Sequence, residues 1–86
     1  MPEISRFLGI IIVMYYNDHN PPHFHAKYGD YESVLSINNG EVIEGNLPPR
    51  VLGLVQEWRE YHKLELLNNW SLARERKALK RIKPLE

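Results

Sequence analysis

The chain has 86 residues, of which 43% are hydrophobic and 26% charged, and this predicts one globular domain, residues 1–86, with a modest core. It contains no cysteine, which excludes disulfides and thiolate-bound zinc. The longest apolar run, residues 7–16, is too short to span a bilayer, and the first residues do not resemble a signal peptide. The sequence therefore predicts a soluble, cytoplasmic protein without membrane contact.

The formal net charge is zero, but the charges are unevenly distributed along the chain. Residues 1–49 hold two basic and six acidic side chains, whereas residues 50–86 hold nine basic and five acidic ones. A neutral total argues against a general polyanion binder. The second half can still present a cationic face to a partner.

The first half of the chain has the punctuation of a small antiparallel sheet. Residues 9–16 are a run of β-branched and aromatic residues, typical of a strand covered on both faces. Residues 23–28 and 31–37 predict two further strands. The Asn-Asn-Gly sequence at 38–40 predicts a tight hairpin, with residues 41–45 returning as a fourth strand.

After the Leu-Pro-Pro sequence at 47–49 the apolar period becomes helical. The prolines suit the first turn of a helix, Asn68 and Asn69 either break or weaken it, and Pro84 ends any helix still running. The sequence therefore predicts an α+β fold. Its parts are an antiparallel sheet of three or four strands, a long C-terminal helix packed on one face, and a basic C-terminal segment.

Individual residues of the predicted helix have different expected environments. Trp58 and Trp70 are predicted to be core and packing aromatics. His62 lies on the apolar stripe, where a histidine is more often a core or rim residue than a ligand. Four charged residues predict a solvated face: Arg59, Glu60, Lys63 and Glu65.

The strongest chemical signal is the segment DHNPPHFH at residues 18–25, which holds three of the four histidines. Alternate residues of a strand point to one face, roughly 7 Å apart at the backbone, so His23 and His25 could chelate a metal. His19, from the preceding loop, could supply a third ligand to a divalent ion such as zinc. Asp18 could ligate the ion or orient its ligands.

The same four residues are also candidates for catalysis without a metal. One of His19, His23 and His25 could act as a base and another as an acid, with Asp18 beside them. A structural alternative is that they line a surface loop and hydrogen-bond its backbone around the two prolines. The spacing leaves these interpretations open.

Six cations lie between residues 74 and 83, with one acid among them. They are Arg74, Arg76, Lys77, Lys80, Arg81 and Lys83. Such a cluster can bind the phosphates of RNA or DNA, or an acidic protein partner. It is predicted to be a contact surface rather than part of the core; a solvated tail or charges that complement a helix dipole are the alternatives. The chain has no G-x-S-x-G, H-E-x-x-H or CxxC motif, so whether it is an enzyme stays open.

Sequence blocks spread over almost the whole chain resemble one small bacterial family. The blocks are MPEISRFLGIIIVMYYNDHNPPHFHAKYGDYE, EVIEGNLPPR, EWREYH and NNWSLARERKALKRIKPL. They resemble the domain of unknown function 4160 family, most specifically at residues 18–26 and 47–48. His19, His23 and His25 match the family pattern. The resemblance implies no assigned catalytic residues.

The resemblance also implies a genetic partner. Members typically lie beside a gene for a domain of unknown function 2442 protein, in a pair that looks like a toxin–antitoxin module, with this chain as the toxin-like half. Two functional interpretations follow. In one, the histidine cluster acts on RNA while the basic segment binds phosphates. In the other, the chain is a non-catalytic module whose sheet edge and basic helix bind the cognate protein.

Overall fold

The computed structural model describes residues 2–16 and 18–85, and in it five strands precede one helix. The strands are β1 (Glu3–Phe7), β2 (Ile10–Val13), β3 (His23–Tyr28), β4 (Tyr31–Ser36) and β5 (Val42–Asn46). The helix is α1 (Pro49–Arg74). All strand pairs are antiparallel, in the order β1-β2-β3-β4-β5. The predicted α+β fold is confirmed, but the sheet has five strands rather than three or four.

The additional strand is β1, joined to β2 by a two-residue turn. Leu8 and Gly9 both have positive φ, 51° and 81°, as a tight hairpin turn requires. Glycine accepts this conformation freely, but leucine rarely adopts it, so the residue types do not announce the turn. The strand predicted at 9–16 is shorter in the structure, because the turn takes Gly9 and β2 ends at Val13.

One face of the sheet is apolar and packs against α1. Trp58 is fully buried there, and its ring centroid lies 5.6 Å from that of Phe7 and 5.9 Å from that of Phe24. Leu35, the register partner of Phe24, is also fully buried. Burial of such aromatic and aliphatic side chains is the main stabilising term of a domain this small. The expected core role of Trp58 is confirmed.

The helix continues through Asn68 and Asn69, so neither residue breaks it. The buried Asn69 side chain donates from Nδ2 to the Lys80 carbonyl and accepts from the Lys80 amide on Oδ1, both at 2.9 Å. The irregular backbone is instead at His62, with φ −119° and ψ 22°. None of the helices in the described residues has both the length and the apolar character needed to cross a membrane.

Residues 75–85 follow the helix without regular secondary structure, and they are anchored to the core. The Ile82 amide donates to the Ile4 carbonyl at 2.8 Å, beside β1, and the Trp58 indole donates to the Lys83 carbonyl at 2.9 Å. The Ile82 side chain is 4% exposed. The expectation that this stretch stands apart from the core is therefore wrong for its backbone and apolar residues, because these complete the fold.

Arg59 was expected on the solvated face of the helix, and this is wrong, because the residue is buried. It is 5% exposed and donates to the Ile37 carbonyl at 3.0 Å and to the Glu60 carboxylate at 2.7 Å. Nearby, the Gln56 amide donates to the Gly40 carbonyl at 2.6 Å. Gly40 has φ 75°, and a Cβ there would collide with the side chains of Gln56 and Arg59. Hydrogen bonds from Gln56 and Arg59 therefore connect α1 to the turn after β4.

Candidate functional site

The alternation of β3 separates its hydrophobic residues from its histidines. Phe24 and Ala26 are fully buried on the face that α1 covers. His23 and His25 point to the opposite face, and their ring centroids are 5.6 Å apart. The same-face arrangement predicted from the H-x-H spacing is confirmed.

Asp18 completes a cluster with these two histidines. The His23 Nε2 lies 2.8 Å from Asp18 Oδ2, and the His25 Nε2 lies 3.6 Å from the same oxygen. One potential ligand atom from each residue lies within 4.8 Å of the other two. We call Asp18, His23 and His25 the Asp–His trio. In the described residues it is the one group of this kind with ligand atoms close enough to share a metal.

The Nδ1 atom of each ring, which points away from Asp18, has a hydrogen-bond acceptor. The His23 Nδ1 is 2.7 Å from the Pro21 carbonyl oxygen, which can only accept, so this nitrogen carries a hydrogen. The His25 Nδ1 is 3.2 Å from a Glu32 carboxylate oxygen and donates in the same way. Both Nε2 atoms are thereby directed at Asp18. Metal-ligating histidines commonly show this pattern, with the distal N–H held by a carbonyl or a carboxylate.

The two Nε2 atoms, which point towards Asp18, differ in their hydrogen bonding. The His25 Nε2 is buried and has no hydrogen-bond partner in the described residues, since 3.6 Å exceeds hydrogen-bond distance. The His23 Nε2 is hydrogen-bonded to Asp18, which requires a second ring proton if the carboxylate is ionised. A metal ion would replace that proton and also satisfy the free nitrogen of His25.

The electrostatics of Asp18 favour its carboxylate form. Burial acts to raise the pKa of the Asp18 carboxyl. Hydrogen bonds from the His19 backbone amide, at 2.9 Å, and from His23 outweigh burial, and the net result is a lowered pKa. An ionised carboxylate is the form that pairs with an imidazolium or ligates a cation.

Aromatic packing holds the two rings in place. The Trp70 ring lies 5.1 Å from that of His23, and Tyr15 meets His25 edge-on at 4.6 Å. Side chains of the trio are 11% (His23), 16% (His25) and 25% (Asp18) exposed, so the site is open on one side. An open cavity of about 260 Å³ adjoins it, lined by Asp18, His19, Asn20, Pro21, His23, His25, Val34, Ile43 and Glu44.

The other two histidines lie outside the trio. His19 is exposed and borders the same cavity, but the trio takes Asp18 as its third member in place of the predicted His19. His62 lies on α1, with its ring 5.5 Å from that of Trp58 and its Nδ1 2.6 Å from the Glu65 carboxylate. It is a rim residue of the core, as predicted.

All six cations of the basic segment are exposed at its surface. Arg74 lies at the end of α1 and lines a second open cavity, of about 390 Å³, with Asp18, His19 and Asn20. Lys77 pairs with Glu75 at 3.0 Å, and Arg81 pairs with Glu3 at 3.0 Å on the far side of the sheet from β5. Arg74 is therefore the cation of the segment that shares a cavity with a member of the trio.

Sequence reasoning missed Glu32 and Trp70 as partners of the two histidines. A usable signal exists for Glu32: the alternation of residues 31–37 puts it on the face opposite Leu35. The structure pairs it with Lys27, diagonally across from His25. No local signal places Trp70 against His23, because that contact joins the end of a helix to a distant strand.

The fold and the trio together define a small α+β protein with an Asp–His cluster on one face of a five-stranded sheet, in contact with the end of α1 through Trp70. The family model of a domain of unknown function (DUF4160) matches residues 9–71, and the chain belongs to that family. The match confirms the resemblance drawn from the sequence blocks. No curated protein and no solved structure matches the chain.

Proposed function

We propose that the protein binds a divalent transition-metal ion at the Asp–His trio. The observation that carries this proposal is the convergence of two Nε2 atoms and one carboxylate within 4.8 Å, with both Nδ1 atoms held by outer acceptors. Two imidazoles and a carboxylate suit zinc and related ions. His19, at the border of the same cavity, is our candidate for a further ligand.

A metal in this position would be accessible rather than enclosed. Three protein ligands leave a coordination position for water, and an open cavity of about 260 Å³ adjoins the trio. A bound ion lowers the pKa of its water to about 7 and polarises a phosphoryl or carbonyl oxygen. We therefore propose a hydrolytic role for the loaded site rather than a purely structural one.

Calorimetric titration of the full chain with zinc tests metal binding. We expect one-to-one binding that His25→Gln weakens by about tenfold or more, since the substitution removes a ligand. His62→Gln is the matched control, because it makes the same change outside the trio and should bind zinc as the unmodified chain does. Undiminished binding by His25→Gln, or equal losses in both variants, would contradict the assignment.

Acid–base catalysis without a metal is the second candidate, supported by the 2.8 Å contact between His23 and Asp18. A protonated His23 would serve as the acid, and His25, with its free Nε2, as the base. A chelator separates the two candidates. Activity that chelation abolishes and zinc restores requires the ion, whereas activity that survives chelation and is lost in His23→Gln assigns the chemistry to the side chains.

We infer that the substrate of the site is RNA, and that the chain acts in the cytoplasm as the toxin-like half of a two-gene module. The supporting observation is Arg74, which is exposed and lines a cavity with Asp18 and His19. A guanidinium recognises phosphate oxygens in a bidentate manner. The exposed cations of residues 76–83 would extend contact with a polyanion. The proposed cognate partner is the domain of unknown function 2442 protein.

Induced expression with and without the neighbouring gene, followed by examination of cellular RNA, tests this inference. We expect RNA cleavage only without the neighbour, and none with His23→Gln. In vitro, Arg74→Gln should weaken RNA binding several-fold and reduce the slope of log affinity against log salt, whereas Arg50→Gln, in the first turn of α1, should not. Intact RNA together with a stable complex of the two proteins would assign a non-catalytic interaction module instead.

A further inference from the structure

The two edges of the sheet differ in whether another segment of the chain covers them. At the β1 edge, the Ile82 amide donates to the Ile4 carbonyl at 2.8 Å, and Arg81 pairs with Glu3 at 3.0 Å. The C-terminal segment therefore covers that edge. At the other edge, β5 pairs with β4, and within residues 2–16 and 18–85 no further strand adds to its outer side.

β5 has only part of the usual protection of a free edge strand: its pairing with β4 is irregular between Val34 and Leu35, and Glu44 is its one charged residue. All of its residues are exposed, including Val42 at 39% and Ile43 at 45%. Edge strands commonly carry lysine or proline, which discourage pairing with another chain, and residues 42–46 contain neither. The edge thus offers unpaired backbone donors and acceptors together with exposed apolar side chains.

The charges around β5 decide which kind of strand it fits. Glu41 and Glu44 are exposed beside Val42 and Ile43, and Glu32 is exposed on the adjoining strand β4. Residues 41–46 contain no basic side chain. Pairing of β5 with β5 of a second copy would bring glutamates together, and like charges facing across a ladder are destabilising. A strand that alternates lysine or arginine with apolar residues complements both the charge and the apolar surface.

We propose that β5 is the docking edge for a basic β-strand of a partner protein, which adds to the sheet as a sixth strand. Backbone hydrogen bonds supply the affinity of such an addition, and the alternate side chains supply its specificity. The proposal rests on the sheet edge and its charges, and it holds whether or not the trio binds a metal.

Docking at β5 would also restrict access to the trio. Ile43 and Glu44 line the open cavity of about 260 Å³ beside Asp18, His23 and His25. Glu44 also lines an adjoining cavity of about 210 Å³ with His25 and Glu32. A strand laid along β5 would form a new wall of both cavities, so the partner would regulate the site by covering it.

The test uses a short synthetic peptide in which lysine and valine alternate, titrated into the isotopically labelled full chain. We expect amide shifts and slowed hydrogen exchange concentrated in residues 42–46, and binding that weakens with salt. A peptide that alternates glutamate and valine should not bind. Equal binding of both peptides, shifts located elsewhere, or no binding would overturn the proposal.

Two variants make the result specific to the edge. Ile43→Lys places a positive charge on β5 and should weaken the basic peptide by about tenfold or more. Leu64→Lys makes the same kind of change at another exposed residue, 81% exposed on α1, and should have no effect. Loss in both variants, or concentration-dependent dimerisation of the chain through β5 in sedimentation, would overturn the proposal. Zinc titration of Ile43→Lys reports separately on the trio.

Discussion

The two faces of β3 carry different kinds of side chain: core residues on one and the two histidines of the candidate site on the other. Phe24 and Ala26 lie in the fully buried layer beneath α1, where packing with Trp58 leaves no room for a ligand. His23 and His25, one residue away in each case, point away from Trp58 and lie beside Asp18, an open cavity and the Trp70 ring at the end of α1. One strand can therefore contribute both to the core and to the candidate site, because successive side chains of a strand point to opposite faces.

The largest expected effect lies on the helix-covered face. Phe24→Ala removes a fully buried ring that contacts Trp58, and it should reduce the free energy of unfolding by about 3–5 kcal/mol. Urea denaturation measures this. Tyr61→Ala, an aromatic that is 72% exposed, is the control and should change stability by less than about 0.5 kcal/mol. A small effect of Phe24→Ala would show that the core is not centred on β3.

The next effect concerns how the C-terminal segment is held. Asn69→Ala removes a buried side chain and leaves the part-buried amide and carbonyl of Lys80 without their partner, and it should cost about 1–3 kcal/mol in the free energy of unfolding. Asn68→Ala makes the same change at an exposed position of α1 and should be nearly neutral. Similar values for the two asparagines would mean that the segment contributes little to the fold.

On the open face, Glu32→Gln should change metal binding while leaving stability nearly unaltered. Its carboxylate accepts from the His25 Nδ1 at 3.2 Å, and loss of such an outer partner typically weakens metal affinity by about 10-fold or more. Zinc titration measures the change, with Glu41→Gln as a control on an exposed acid away from the ring. Unchanged affinity would mean that Glu32 does not position His25.

The smallest effect is electrostatic and concerns Glu3 on β1, where Arg81 of the C-terminal segment meets the strand. Hydrogen bonds from Arg6 and Arg81 lower the pKa of Glu3 from 4.5 to about 2. Because the folded-state pKa is depressed, the stabilisation is present above about pH 4.5 and is lost as pH falls towards 2. Glu3→Gln should therefore have a lower free energy of unfolding than the unmodified chain at neutral pH and the same free energy of unfolding in strong acid.

Urea denaturation at several pH values checks this, and added salt should shrink the difference because the group is exposed. A gap between the two chains that widens as pH falls would contradict the sign of the shift.

Much of the fold was predictable from local pattern, and the errors have physical causes. The strands around His23 and Tyr31, a hairpin around 38–40 and a helix from Pro49 follow from period and turn chemistry. The hairpin is not as tight as predicted, since residues 37–41 join β4 to β5. β1 was missed because its turn places Leu8, rather than a turn-forming residue, at positive φ. Arg59 was assigned to solvent because a charged residue on a helix gives no sign of the carbonyl that will receive it.

The sequence by itself determined that His23 and His25 share a face, since a strand repeats every two residues and admits no other arrangement. It also determined where the strands give way to the helix, through the prolines at 48 and 49. Only the tertiary structure decided that Asp18, and not His19, meets both rings. Only the tertiary structure turned the basic segment back to cover β1. A repeating sequence pattern predicts neither contact, because each is made by an irregular stretch of chain whose path depends on the rest of the fold.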